Sequence, residues 1–342
     1  MLAVLWGSKP GTVVLVLVGL LLAGSVLAAV HHAEVVAHRV GEPFGSLVLA
    51  VAVTVIEVGL IVTLMVSGDA DESATLARDT VFAAVMITCN GILGLSVLTG
   101  ALRRRVAEFN SEGSATAFAT VLTLATVCLV LPNFTSSAEG PEFTATQLAF
   151  AAVASLALYG LFVFVQTVRH RDYFLPVEEG TGDDDHAGLP DASAAKRSLG
   201  LLVAALVSVV GLAKIESPGI EDGVAAIGAP ASAVGVVIAV LVLSPETLAA
   251  VRNARRGRVQ TSLNLAFGSA MASIGLTIPA IAVASIWLDG PLDLGLGGTQ
   301  MVLLGITAVV GALTVLPGRA TLQEGGVHLV LLAAFLFLAV HP

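Results

Sequence analysis

Glu57 and Glu246 are the only charged residues in two long apolar stretches, GSLVLAVAVTVIEVGLIVTLMV and ASAVGVVIAVLVLSPETLAAV. A carboxylate at the centre of a membrane-spanning helix costs roughly 2.5–3.5 kcal/mol on insertion scales, so such groups face a cavity and serve a function. One lies in each half of the chain, in similar surroundings. Two facing carboxylates imply a cation as ligand. Hard cations such as calcium take six to eight oxygens. Oxygen donors near the two glutamates in sequence or on the helices that follow them are Thr54, Ser244, Asn90, Ser269 and Ser273. Pro245 supplies no N–H, which frees a carbonyl one turn earlier, near Leu241.

The same pair suggests a mechanism. Two buried like charges must be neutralised, either by a cation or by protons. A site that crosses the membrane only when neutral exchanges one for the other. Cation/proton antiport follows from that charge balance, and a divalent ion suits two carboxylates, although sodium is not separated from calcium by this argument. A passive cation channel is the competing reading. The expected ligands are transported cations and protons. Neither a bound cofactor nor nucleic acid is expected, and the residues leave the oligomeric state open.

Positioning these groups requires a membrane. The chain has 342 residues, 56% of them hydrophobic and 12% charged, with a mean hydropathy of +0.94. Soluble domains carry about 25% charged residues. A spanning helix needs about 20 apolar residues, and several runs reach that length. The composition therefore predicts an all-α polytopic membrane protein embedded in a lipid bilayer. Cys89 and Cys128 both lie in apolar segments and read as buried structural thiols. No convincing cleavage site follows the first apolar run. The opening LAVLW resembles the tail of an apolar segment, which raises the expectation of a lost upstream helix.

Ten spans are expected: 12–36, 45–66, 80–102, 116–131 and 146–168, then 198–213, 231–251, 262–288, 299–316 and 327–340. Arg39, Arg103 to Arg105, Arg169, Arg171, Lys196, Arg197, Arg252, Arg255, Arg256, Arg258 and Arg319 fall on one side. By the positive-inside rule that side is the cytoplasm of a bacterial inner membrane. SGDADES, SSAEGPE, ESPGIEDG and DGPLDLG are read as outer loops. The chain then divides into a first repeat, 1–168, an acidic cytoplasmic linker, 169–197, and a second repeat, 198–342. Five spans per repeat is an odd number, so the second repeat enters the membrane inverted. Inverted repeats place substrate sites near the midplane, where the halves meet.

The repeat is faintly visible. Gly41-Glu42-Pro43 precedes one glutamate helix and Gly228-Ala229-Pro230 the other. The helix after Glu57 carries Met86, Thr88, Asn90 and Ser96. The helix after Glu246 carries Asn264, Gly268-Ser269, Ser273 and Thr277.

Two further groups have alternative readings. His31, His32, Glu34, His38 and Glu42 close the first span. The spacing is not the His-Glu-x-x-His of a metalloprotease. The group is either a polar interfacial helix end or a cytoplasmic vestibule, with His32, Glu34, His38 and Glu42 admitting protons. The linker, with Glu178-Glu179 and Asp183-Asp184-Asp185-His186, reads as a solvated connector or a regulatory cation site.

HHAEVVAHRVGEPFGSLVLAVAVTVIEVGLI, followed by SGD and ARDTVFAAVMI, resembles the first block of the bacterial ChaA-type calcium/proton antiporters of the calcium/cation antiporter superfamily. LSPETLAAVRNARRGRVQTSLNLAFGSAMASIGLTIP resembles the second block. The resemblance covers nearly the whole chain. It implies that Glu57 and Glu246 are the glutamates of the superfamily's Gly-Asn-Ala-x-Glu motifs. Val53-Thr54 and Leu243-Ser244 replace the Gly-Asn, and Thr54 and Ser244 would supply the missing oxygens. Asn90 would match a polar position whose counterpart is Ser273, and Gly268-Ser269 the Gly-Ser of that helix. The resemblance extends to members that exchange sodium or potassium.

Overall fold

The computed structural model describes residues 11–41, 44–67, 74–176, 191–287 and 290–342. Among the described residues, ten helices are long and apolar enough to span a bilayer. Inside hydrocarbon every backbone N–H needs an internal partner, which leaves helices as the natural solution for these apolar runs. In the first half these are α1 (Thr12–Val40), α2 (Phe44–Ser67) and a third span made of α3 (Leu76–Met86), a π-helical turn (Ile87–Ile92) and α4 (Leu93–Arg104). Strand β1 (Val106–Glu108) follows, then α5 (Ser111–Ala125) with irregular turns to Phe134, and α6 (Ala145–Phe164). The second half holds α7 (Ala192–Ala226), α8 (Ala233–Arg255), α9 (Val259–Ala284), α10 (Gly298–Val315), β2 (Arg319–Thr321) and α11 (Leu322–Val340).

Local chemistry starts several of these helices. The Asn110 side chain accepts from Gly113 N–H at the head of α5. Thr144 and Gln147 form a capping box on α6, and Thr321 and Glu324 form one on α11. Such caps satisfy N–H groups that the first turn leaves without carbonyl partners.

One expected loop is corrected. ESPGIEDG is not an outer loop, because α7 runs through it and through Pro218 to Ala226. The proline removes one N–H, yet α1 packs along α7, and Ser217 donates to Glu221 one turn on, at 3.2 Å. The span expected at 198–213 is therefore longer at both ends. Its first two turns take up residues 192–197, the end of the expected linker. Residues 171–174 at the linker's other end form a 3₁₀ turn.

The two repeats are inverted, and backbone pairings at opposite ends of the bundle record it. Strand β1 pairs antiparallel with β2, placing Val106, Ala107 and Glu108 opposite Thr321, Ala320 and Arg319. This joins the loop between the third and fourth spans of the first repeat to the loop between the fourth and fifth of the second. Glu142 bridges to Asp293, which makes the same join with the repeats exchanged. Helix contacts follow the same exchange. α2 of the first repeat packs on α9 of the second, and α8 of the second packs on α3 of the first. At Gly235 an added Cβ would stand 2.7 Å from the Thr80 backbone nitrogen, so α8 crosses α3 at backbone contact. Small residues serve this purpose in membranes, where association relies on close packing.

A candidate cation site at the repeat interface

Glu57 sits midway along α2 and is 2% exposed. Its carboxylate points into α9 of the opposite repeat. The Ser273 hydroxyl lies 2.8 Å from Oε1 and 2.7 Å from Oε2, and the Thr277 hydroxyl lies 3.2 Å from Oε2. Ser273 and Thr277 are four residues apart, so they share one helix face. Thr277 was not among the sequence-derived site residues. That i, i+4 spacing was the available signal.

Glu246 occupies the corresponding place on α8 and is 5% exposed. Its Oε2 has no hydrogen-bond partner among the described residues, nor has the buried Thr54 hydroxyl. Glu246 lines a cavity of about 300 Å³ with Ser269, Asn253, Asn264, Thr261 and Gln166. Asn253 lies two turns beyond Glu246, beside Arg252 and Arg255. Thr261 and Asn264 open α9 just after Arg258. The cavity therefore runs from Glu246 toward the arginine-bearing end of the bundle, and α2 supplies an apolar wall at Leu49, Ala50 and Val53.

Other expected residues fall elsewhere. Ser244 donates to Val240 O in its own helix, and α8 continues unbroken through Pro245. Asn90 is not directed at a glutamate. Its Nδ2 donates to the Thr307 hydroxyl at 3.0 Å, and its Oδ1 lies 3.0 Å from His328 Nδ1. His32, Glu34 and His38 lie on α1, outside the lining of the cavity, and the His32 Nδ1 has no partner among the described residues. Glu42 lies outside the described residues, as does the acidic run Glu178 to His186. Cys89 and Cys128 are free and buried. Among the described residues no three His, Cys, Asp or Glu side chains gather as a metal-binding group.

Ten spanning helices in two inverted five-helix repeats define a multi-pass membrane protein with the architecture of a secondary transporter. The chain belongs to the sodium/calcium exchanger protein family, which it matches over residues 10–168 and 197–341. It is 46% identical over 327 residues to a protein of Sinorhizobium fredii (strain NBRC 101917 / NGR234) named as an ionic transporter, y4hA, covering 94% of this chain and 87% of that one. It is 34% identical over 338 residues to the sodium-potassium/proton antiporter ChaA of Escherichia coli (strain K12), covering 97% and 91%. Among solved structures, native YfkE superposes with a TM-score of 0.73 at 15% identity, over the whole of both chains.

Proposed function

We propose that this protein is a proton-coupled cation antiporter of the bacterial inner membrane. It expels calcium, sodium or potassium in exchange for inward-moving protons. The observation that carries the reading is the pair Glu57 and Glu246, each buried in a different inverted repeat. One is held by hydroxyls of the other repeat, and one opens on a cavity. Two carboxylates without a counter-ion at this depth are unstable, so the site moves across the membrane loaded with a cation or with protons. Thr54, Ser269 and Ser273 supply neutral oxygens around them. The cavity below Glu246, largely apolar but with the amides of Gln166, Asn253 and Asn264 in its lining, is the route from the cytoplasm. His32, Glu34 and His38 stand on α1, outside the lining of that route. The acidic run Glu178 to His186 of the linker connects the repeats without joining the transport cycle.

A passive channel would conduct without a counter-ion, and exchange is what this family's name describes. The test is flux into proteoliposomes. An imposed pH gradient drives calcium, sodium or potassium against its own gradient if the reading holds. Cation movement that ignores the pH gradient overturns it.

A further inference from the structure

The two halves of the carboxylate site are built to one plan, and one residue breaks it. Two glycine joints establish the register between the repeats. Gly275 on α9 packs under Tyr159 of α6, where an added Cβ would lie 2.7 Å from the Tyr159 Cβ. Gly94 on α4 packs under His328 of α11, where an added Cβ would lie 3.0 Å from the His328 Cβ. Each joint links the third span of one repeat to the fifth span of the other; Gly91 also meets α11, at Leu332, and the Gly-Leu-Ser and Gly-Leu-Thr that Gly94 and Gly275 open select Gly94 as the counterpart. Around them the sequences read Ile92-Leu93-Gly94-Leu95-Ser96 and Ser273-Ile274-Gly275-Leu276-Thr277. The two hydroxyls that hold Glu57 flank Gly275. Their counterparts flanking Gly94 are Ile92 and Ser96, on the span that α8 packs against.

Ser96 is fully buried, and its hydroxyl has no hydrogen-bond partner among the described residues. Glu246 Oε2 is in the same condition. Buried polar atoms are almost always paired, so these two, standing where the other half has the paired Thr277 and Glu57, call for an explanation. We infer that Ser96 is the positioning residue of Glu246, as Thr277 is of Glu57, and that the pair engages when the cavity at Glu246 closes. Ile92 then leaves Glu246 with one hydroxyl from the facing third span where Glu57 has two. The two carboxylates are therefore unequal. Glu57 is anchored, and Glu246 is the one that exchanges its ligand readily with the cytoplasmic cavity.

This inference rests on the two-glutamate antiport reading, and the test separates the two. Ser96→Thr and Ser96→Val have the same shape and differ only in the hydroxyl. In proteoliposomes with calcium, Ser96→Val is expected to raise the apparent KM about tenfold over Ser96→Thr. Maximal rates should agree within about twofold. The pH of half-inhibition by protons should move upward in the Val variant, because a carboxylate without its donor holds a proton more firmly. Ile92→Ser, which restores the missing hydroxyl, is expected to lower KM severalfold and serves if neither β-branched variant inserts. Indistinguishable Thr and Val variants, or an Ile92→Ser variant with unchanged KM, overturn the role of Ser96 while wild-type exchange persists. Absence of proton-driven flux in the wild type strikes the two-glutamate reading instead.

Discussion

The Ser273 hydroxyl reaches both carboxylate oxygens of Glu57, at 2.8 and 2.7 Å, from a helix 216 positions later in the chain. A donor of the second repeat is thereby committed to the charge of the first. Any movement of one repeat against the other must strain or break that contact. On the proposed mechanism this contact couples occupation of the carboxylate to the relative position of the halves, as alternating access requires.

Glu57→Gln and Glu246→Gln keep size and hydrogen-bonding capacity but remove the titratable charge. Each is expected to abolish proton-coupled exchange in correctly inserted protein, because an amide cannot take up and release the proton. Transport near the wild-type rate in either variant, measured under an imposed pH gradient, would remove the core of the proposed mechanism.

Removing the donors should weaken the site without eliminating it. A hydrogen bond to a charged group contributes about 1.5–3 kcal/mol. Ser273→Ala is therefore expected to raise the apparent cation KM by roughly tenfold or more, and Thr277→Val, at the longer contact, by less. Initial-rate titrations of cation concentration at fixed pH give the comparison.

On the proposed mechanism protons and cations compete for the same oxygens, so apparent cation affinity is expected to fall as the pH falls. Displacing one proton per cation gives a limiting slope of about tenfold in KM per pH unit, and two give about a hundredfold. A KM that stays flat between pH 6 and 9 contradicts shared carboxylates.

Sidedness follows from the arginines. A cysteine at Arg255 should react with an impermeant reagent only from the cytoplasm, and one at Glu139 only from outside; both positions are exposed. Labelling of both from one face is incompatible with the inverted arrangement.

Gly275 should not tolerate a methyl group. Ala at this position would place its Cβ 2.7 Å from the Tyr159 Cβ, in a joint where both helices are tightly packed. Overpacking of this kind costs typically 1–3 kcal/mol, so a lower thermal midpoint is expected in detergent, with Gly268→Ala, which meets nothing nearby, as the control.

The membrane class, the ten spans and the two glutamates could be read from the residues alone. Hydrocarbon imposes a length and an apolar composition on every span, and a lone carboxylate within one stands out against them. Inversion also followed from charge, since five spans per repeat reverse the direction of the second. Reach across the repeat interface could not be read in this way. The resemblance implied that Asn90 and Ser273 are counterparts, yet of the two it is Ser273 that reaches a glutamate. The Asn90 carboxamide is engaged by Thr307 and His328, residues more than 200 positions away. Pro218 looked like a loop residue, yet packing of α1 along α7 keeps the helix intact. Composition and period report a residue's solvent and its face on a helix. Which partner meets that face depends on how helices distant in sequence cross, and only the tertiary structure decides that.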